Sequence, residues 1–194
     1  MSRTTRTFLA LPLPNLVKVR LERLQQLVAP SLPDASWEPR EMFHLTVAFL
    51  GDVADTDLNG LCKGVASAVA DLPRFSLTIK GFGAFPDAER PRVVWAGVEG
   101  DLAALEALQK ACCAAAVSAG YRPDERFQPH VTLGRVKIRK GETLDVSKLV
   151  AHYRTWAAGV AKIDSVTTFQ STFTPEGPAY APLNVAPLKP PDRA

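Results

Sequence analysis

Histidine is scarce in this chain: three in 194 residues, at positions 44, 130 and 152. Cysteine is equally sparse, at Cys62, Cys112 and Cys113. An odd count, with two neighbours inside an Ala-rich run, leaves no readable disulfide framework. No Cys-x-x-Cys spacing and no nearby histidine offers a zinc site either. These cysteines suit small apolar packing in a reducing compartment. Charge of one sign is also lacking, since 23 basic against 20 acidic residues give a net +3 and a pI near 8.8. Such a balance tolerates a polyanionic ligand without demanding one. No apolar run approaches the ~18 residues of a membrane helix. The run Phe8–Leu13 follows Arg3 and Arg6 but is broken by Pro12 and Pro14, so it reads as an opening strand rather than a signal peptide. The expectation is a soluble, cytoplasmic protein, monomeric by default.

What is present is ordinary for a globular chain: 46% hydrophobic and 22% charged residues. The length fits a single domain over residues 1–194, or two tightly coupled halves sharing one core, with 189–194 as a mobile tail. Arg6–Leu11 reads as a strand. Leu16, Val17, Leu21, Leu24, Leu27 and Val28 recur at helical spacing, so an amphipathic helix runs from Asn15 to near Pro30. Strand signals follow at His44–Leu50, Phe75–Phe85, Val93–Val98, Val131–Ile138, Lys162–Phe173 and Tyr180–Leu188. Helix signals lie at Asp55–Ala70 (capped near Asp55 or Thr56), Leu102–Ala119 (stopped by Gly120) and Val146–Tyr153. Pro175-Glu176-Gly177-Pro178 has the composition of a turn. Short loops between neighbouring strands favour an antiparallel α+β arrangement over a doubly wound parallel sheet.

One internal echo stands out. His44-Leu-Thr-Val-Ala-Phe-Leu-Gly is matched by His130-Val-Thr-Leu-Gly-Arg-Val, each opening a strand. Residues i and i+2 share a strand face about 6–7 Å apart. His44 and Thr46 thus point one way, with Leu45, Val47 and Phe49 opposite; His130 and Thr132 point together, opposite Val131 and Leu133. A duplicated half folded about a pseudo-two-fold axis would carry both copies to one cleft.

Two facing imidazoles suit displacement at phosphorus, which needs a base on one side and an acid on the other. Histidine serves either role near neutral pH. A threonine hydroxyl two residues on donates to a non-bridging oxygen where charge gathers. A lone His-x-Thr is usually a satisfied structural pair; two copies in a histidine-poor chain shift the balance toward chemistry. Zinc is a poor rival because no carboxylate or cysteine completes a site beside either motif. A Cys–His nucleophile pair is also weak, since the cysteines sit among apolar helical neighbours. His152 lacks a following threonine and reads as a surface residue.

Arg135 falls on the core side under strict alternation, an expensive place for a guanidinium. The apolar parity changes there, from Val131 and Leu133 to Val136 and Ile138. A bulge at Gly134 accounts for the switch and turns Arg135 toward the histidine face. The alternative is a solvated basic edge, Arg135-Lys137-Arg139-Lys140, and it is the better reading from Lys137 onward.

These residues resemble the two-histidine (2H) phosphoesterases, and within them the RNA 2′,3′-cyclic phosphodiesterases, also known as 2′-5′ RNA ligases. The likeness runs through Phe8-Leu-Ala-Leu-Pro-Leu-Pro, Phe43-His-Leu-Thr-Val-Ala-Phe-Leu-Gly, Phe85-Pro, Pro91-Arg-Val-Val-Trp, Phe127-Gln-Pro-His-Val-Thr-Leu-Gly-Arg, Gln170-Ser and Thr174-Pro. It implies a bilobal α+β fold of pseudo-two-fold duplicated antiparallel sheets, helices outside and a central cleft. It implies hydrolysis of an RNA 2′,3′-cyclic phosphate end, tRNA fragments included, to a 2′-phosphate, with no metal or other cofactor. On the matching positions His44 would be the proton donor, His130 the proton acceptor, Thr46 and Thr132 phosphate holders and Arg135 a substrate contact. The residues alone do not divide acid from base, because the site is nearly symmetric. Two further readings stay open: ligation of tRNA halves in the reverse direction, and a non-catalytic RNA- or nucleotide-binding module. Phe8, Phe85 and Tyr180 are candidate base-stackers, each at least as well explained by core packing.

Overall fold

Strand and helix periods alternate along the chain and sort their apolar faces into one continuous core. The computed structural model describes residues 3–124, 126–138, 143–174 and 177–191. The buried run from Phe8 to Leu11 lies in β1 (Thr4–Pro12), which the prolines end. Helix α1 (Asn15–Val28) buries Val17, Leu21, Leu24 and Val28 on the face that the sequence period selects. There follow β2 (Ala35–Trp37), β3 (His44–Ala54), α2 (Leu58–Val69), β4 (Phe75–Phe85), β5 (Val93–Gly100) and α3 (Leu102–Ser118). The chain continues through β6 (His130–Val136), α4 (Ser147–His152), β7 (Ala157–Ile163), β8 (Ser165–Thr174) and β9 (Gly177–Pro187).

All strand pairs within the two sheets are antiparallel. One sheet has the order β3-β1-β8-β9 and the other β2-β6-β5-β4-β7. Thus β1 pairs with β3 as β5 pairs with β6, and one motif strand belongs to each sheet. The helices cross over: α1, after β1, packs on β6 and β7 of the second sheet, while α3, after β5, packs on β3 and α2 of the first. This exchange gives the α+β architecture its two-fold character and sets β3 against β6.

Several elements depart from expectation for local reasons. The stretch Lys162–Phe173 is two strands, not one, broken at Asp164 between β7 and β8. The Ala/Gly-rich β7 and the three-residue β2 carry too few β-branched or aromatic residues to signal a strand. Helix α2 begins at Leu58 rather than Asp55; the Asp57 carboxylate makes no cap bond and instead accepts from Tyr121 Oη at 2.7 Å. Asp101 caps α3 by accepting from the Ala104 N–H at 3.0 Å, and Gly120, at φ +89°, ends it as expected. Within the expected tail, Lys189 is tied by backbone bonds to Leu72 and Arg74, and residues 192–194 lie outside the described residues. So do Pro175 and Glu176 of the expected turn, and Arg139 and Lys140 of the basic run. Among the described residues no helix is long and apolar enough to cross a membrane.

Candidate active site

β3 begins at His44 and β6 at His130, so each histidine stands where a strand leaves a turn. Each ring is fixed in the same way. Nδ1–H of His44 donates to the Met42 carbonyl at 2.6 Å, and Nδ1–H of His130 donates to the Gln128 carbonyl at 2.7 Å. A carbonyl oxygen only accepts, so Nδ1 carries the proton in both rings and Nε2 is left for chemistry. The Thr46 hydroxyl, two residues on, lies 3.0 Å from Nε2 of His44.

Both histidines line one cleft between the sheets, with Thr46, Thr132, Arg135 and Tyr180. Its volume of about 50 Å³ is several times the roughly 10–15 Å³ that a single water needs. The cleft is thus more than a one-water hollow and is open on one side. Each imidazole leans on aromatic walls. Phe8 lies 5.0 Å and Tyr180 5.4 Å from the His44 ring, centroid to centroid, and Phe85 meets His130 edge-on at 5.0 Å. Burial pushes the His44 pKa below the usual histidine value, as do the nearby charges of Lys18 and His130, against the pull of the Met42 hydrogen bond. Burial also lowers His130, opposed by its bond to Gln128. Both shifts favour the neutral imidazole, whose free Nε2 is a base.

A bulge is present in β6, one residue before the expected Gly134. Trp95 pairs with Thr132 while Val94 pairs with Gly134, so Leu133 is the extra residue. Leu133 and Gly134 are both buried and Arg135 emerges on the cleft face. Glycine is needed at 134 for close approach rather than for its φ: a Cβ there would meet the Trp37 ring at 2.8 Å. The bulge is held from behind by buried Gln25 of α1, whose Nε2 donates to the Leu133 carbonyl at 2.7 Å and to the Glu38 carbonyl at 2.9 Å. Arg135 approaches the Glu38 carboxylate at 4.0 Å, a long and partly solvated pair. Burial raises the Glu38 pKa and Arg135 partly offsets this.

The same bulge occurs in β3, and sequence reading missed it. Ala10 pairs with Thr46 but Leu9 with Ala48, making Val47 the extra residue. Phe49 is consequently not on the core side with Leu45 and Val47, as strict alternation predicts; it is 59% exposed and lines the cleft. Phe49 and Arg135 are thus equivalent positions of the echo, five residues past each histidine. No glycine marked the first bulge, so no local signal was available. Glu38 and Met42 also line the cleft and were not anticipated.

Other expectations resolve plainly. Phe8 is 3% exposed and is packing beneath His44, Phe85 backs His130, and Tyr180 alone of the three candidate stackers faces the cleft. Lys137 is exposed and lies in a separate hollow with Val136 and Ile138. His152 is an exposed helix end against Tyr153. Among the described residues no group of three or more His, Cys, Asp or Glu side chains is arranged to hold a metal ion.

Comparison with known proteins agrees with this geometry. The family model described as LigT like phosphoesterase matches residues 11–95 and 98–180. A protein of Thermotoga maritima named RNA 2′,3′-cyclic phosphodiesterase is 33% identical over 178 residues, 92% of each chain. One of Geobacillus stearothermophilus with the same name is 37% identical over 129 residues, which are 66% of this chain and 41% of that protein. A solved structure from Thermus thermophilus superposes with a TM-score of 0.76 at 25% identity, covering 96% of this chain and 99% of that one. A model match that spans most of the chain, with a relative 33% identical over 92% of both lengths, fits the matched strand starts, bulges and ring anchoring of the cleft, and the chain belongs to the LigT-like phosphoesterase family.

Proposed function

We propose that this protein opens 2′,3′-cyclic phosphate ends of RNA, tRNA fragments among them, leaving a 2′-phosphate and a free 3′-hydroxyl. The observation that carries the reading is the twin anchoring of the imidazoles. Backbone carbonyls hold both Nδ1 atoms and leave both Nε2 atoms to the cleft, one from each sheet. In this mechanism His130 takes a proton from water as its oxygen bonds to phosphorus. The P–O3′ bond breaks on the other side and His44 gives the leaving oxygen its proton. Thr46 and Thr132 donate to the non-bridging oxygens, and Arg135 meets their charge. The division of roles follows the family resemblance, and one feature of the cleft supports it. The leaving oxygen stays on the ribose, so the donor must stand on the ribose side. A second, larger groove opens beside His44, with His44 among its walls and His130 not.

Names carried by the relatives support RNA as the substrate, and the free thiols of all three cysteines suit action in a reducing compartment such as the cytoplasm. The test is an RNA oligonucleotide ending in a 2′,3′-cyclic phosphate, incubated with the protein in the presence of a strong chelator. A 2′-phosphate product is expected, with His44→Ala and His130→Ala each nearly inactive yet folded. A 3′-phosphate product, or turnover that the chelator abolishes, overturns the mechanism.

A further inference from the structure

Beside the cleft between the histidines lies a larger groove, of about 260 Å³, and the two share walls at Met42, His44 and Tyr180. Phe43, Phe169 and Ala179 supply much of the remaining lining, and Lys18 and Glu41 supply its charge. Lys18 projects from α1, half-buried, and its ammonium donates to the Glu41 carbonyl oxygen at 3.0 Å. That bond uses one of three N–H donors. The Glu41 carboxylate is exposed and stands 3.5 Å from Arg40. For Lys18 the loss of solvent outweighs the help from Glu41, a cost that an anion in the groove would relieve. Lys18 and His44 are walls of the same groove, and the lysine's charge is felt at the imidazole.

Substrate chemistry limits what such a cation can meet. In a terminal nucleotide closed as a 2′,3′-cyclic phosphate, both ribose hydroxyls are esterified. Past the ring the next anionic group is the 5′-phosphodiester that joins it to the rest of the RNA. We infer that the groove between Lys18 and Tyr180 is a subsite for the terminal ribose and its 5′-phosphate, with Lys18 Nζ on that phosphate, so that the protein selects chain ends over free nucleoside cyclic phosphates. The inference rests on the cyclic-phosphate reading above and deepens it. A lysine that merely ties the turn before β3 gives no such selection.

The test compares adenosine 2′,3′-cyclic phosphate bearing a 5′-hydroxyl, the same nucleotide bearing a 5′-phosphate, and the dinucleotide. The 5′-phosphate should raise kcat/KM about tenfold at low salt, the scale of one charge-assisted hydrogen bond, and the advantage should shrink as salt rises. Lys18→Met should cut it to about twofold or less on the same scale, and Lys18→Arg should keep most of it. Lys18→Gln replaces Lys18→Met if the latter melts early. No gain from the 5′-phosphate in the native protein, or a gain that survives Lys18→Met, overturns the subsite. Binding of adenosine 2′-monophosphate and of adenosine 2′,5′-bisphosphate, titrated against native and Lys18→Met protein, reads the same ratio without turnover. Failure to hydrolyse any of the three substrates would overturn the catalytic reading, while the binding ratio would still decide the subsite.

Discussion

In the proposed mechanism the hydroxyls of Thr46 and Thr132 and the guanidinium of Arg135 do different work, and substitution separates them. Thr46 and Thr132 are half-buried and fixed on strands. Replacing either with valine keeps the β-branched shape and removes one donor to the transition-state oxygens. Loss of about 2–4 kcal/mol is the scale for such a donor; kcat should fall with KM little changed. A raised KM with kcat unchanged would instead mark a contact made equally in the ground state. Arg135 has a side chain 68% exposed, and its pairing with Glu38 is 4.0 Å long. A pair so solvated contributes about 1 kcal/mol or less. Arg135→Gln should therefore leave the thermal midpoint unchanged while raising KM for the cyclic phosphate. A melting temperature lowered by several degrees would show that Arg135 is structural. Sequence alone yielded the four motif residues because a repeated pattern in a histidine-poor chain is hard to explain by packing. Glu38 and Met42 carried no such mark, since each reaches the cleft from a connection rather than from a periodic strand.

At the scale of elements, the paired bulges turn two ordinary edge-to-core strands into one arm of a site each. Without the extra residue at Leu133, Arg135 would face the core; without the one at Val47, Phe49 would be buried. The first was legible because apolar parity flips at a glycine; the second was not, because its extra residue is Val47 and no glycine marks it. The short β2 escaped notice too, yet it positions Glu38 and supplies the Trp37 ring that demands glycine at 134. Gln25 is the clearest case of a residue whose work is invisible to periodicity. It lies on the apolar face of α1, where a leucine would satisfy the helical pattern, but it serves two carbonyls at the bulge. Gln25→Leu keeps the volume and strips the Glu38 carbonyl of that donor. A buried acceptor left unpaired costs about 1–3 kcal/mol. Urea unfolding should show that loss, accompanied by a raised KM as Arg135 loses its fixed base. Native-like stability in the leucine variant would mean that the Glu38–Gln25 contact is dispensable.

For the molecule as a whole, the two sheets matter because each contributes one titrating ring to one cavity. The pair then titrates as a unit, and its apparent pKa values belong to the pair. Burial lowers both rings, and for His44 the neighbouring His130 adds to the fall. In the proposed mechanism the working form holds a single proton between the two. With both rings held below the ordinary histidine value, the maximum in kcat/KM should lie on its acid side and activity should decline above it. The stability consequence has a definite sign. Folded-state pKa values lie below unfolded ones, so the unfolded chain binds more protons in that window. The histidines' contribution to stability is intact above the unfolded pKa and is lost as pH falls through the folded values. An anion in the cleft acts the other way, since negative charge favours the imidazolium. Binding of inorganic phosphate near pH 7 should therefore take up a proton, seen calorimetrically as a binding enthalpy that varies with buffer ionisation. In His44→Gln and His130→Gln together that dependence should shrink to the proton exchange of phosphate itself. A buffer-independent enthalpy in the native protein, or a kcat/KM plateau extending to pH 8, would mean that the two rings do not share a proton across the cleft.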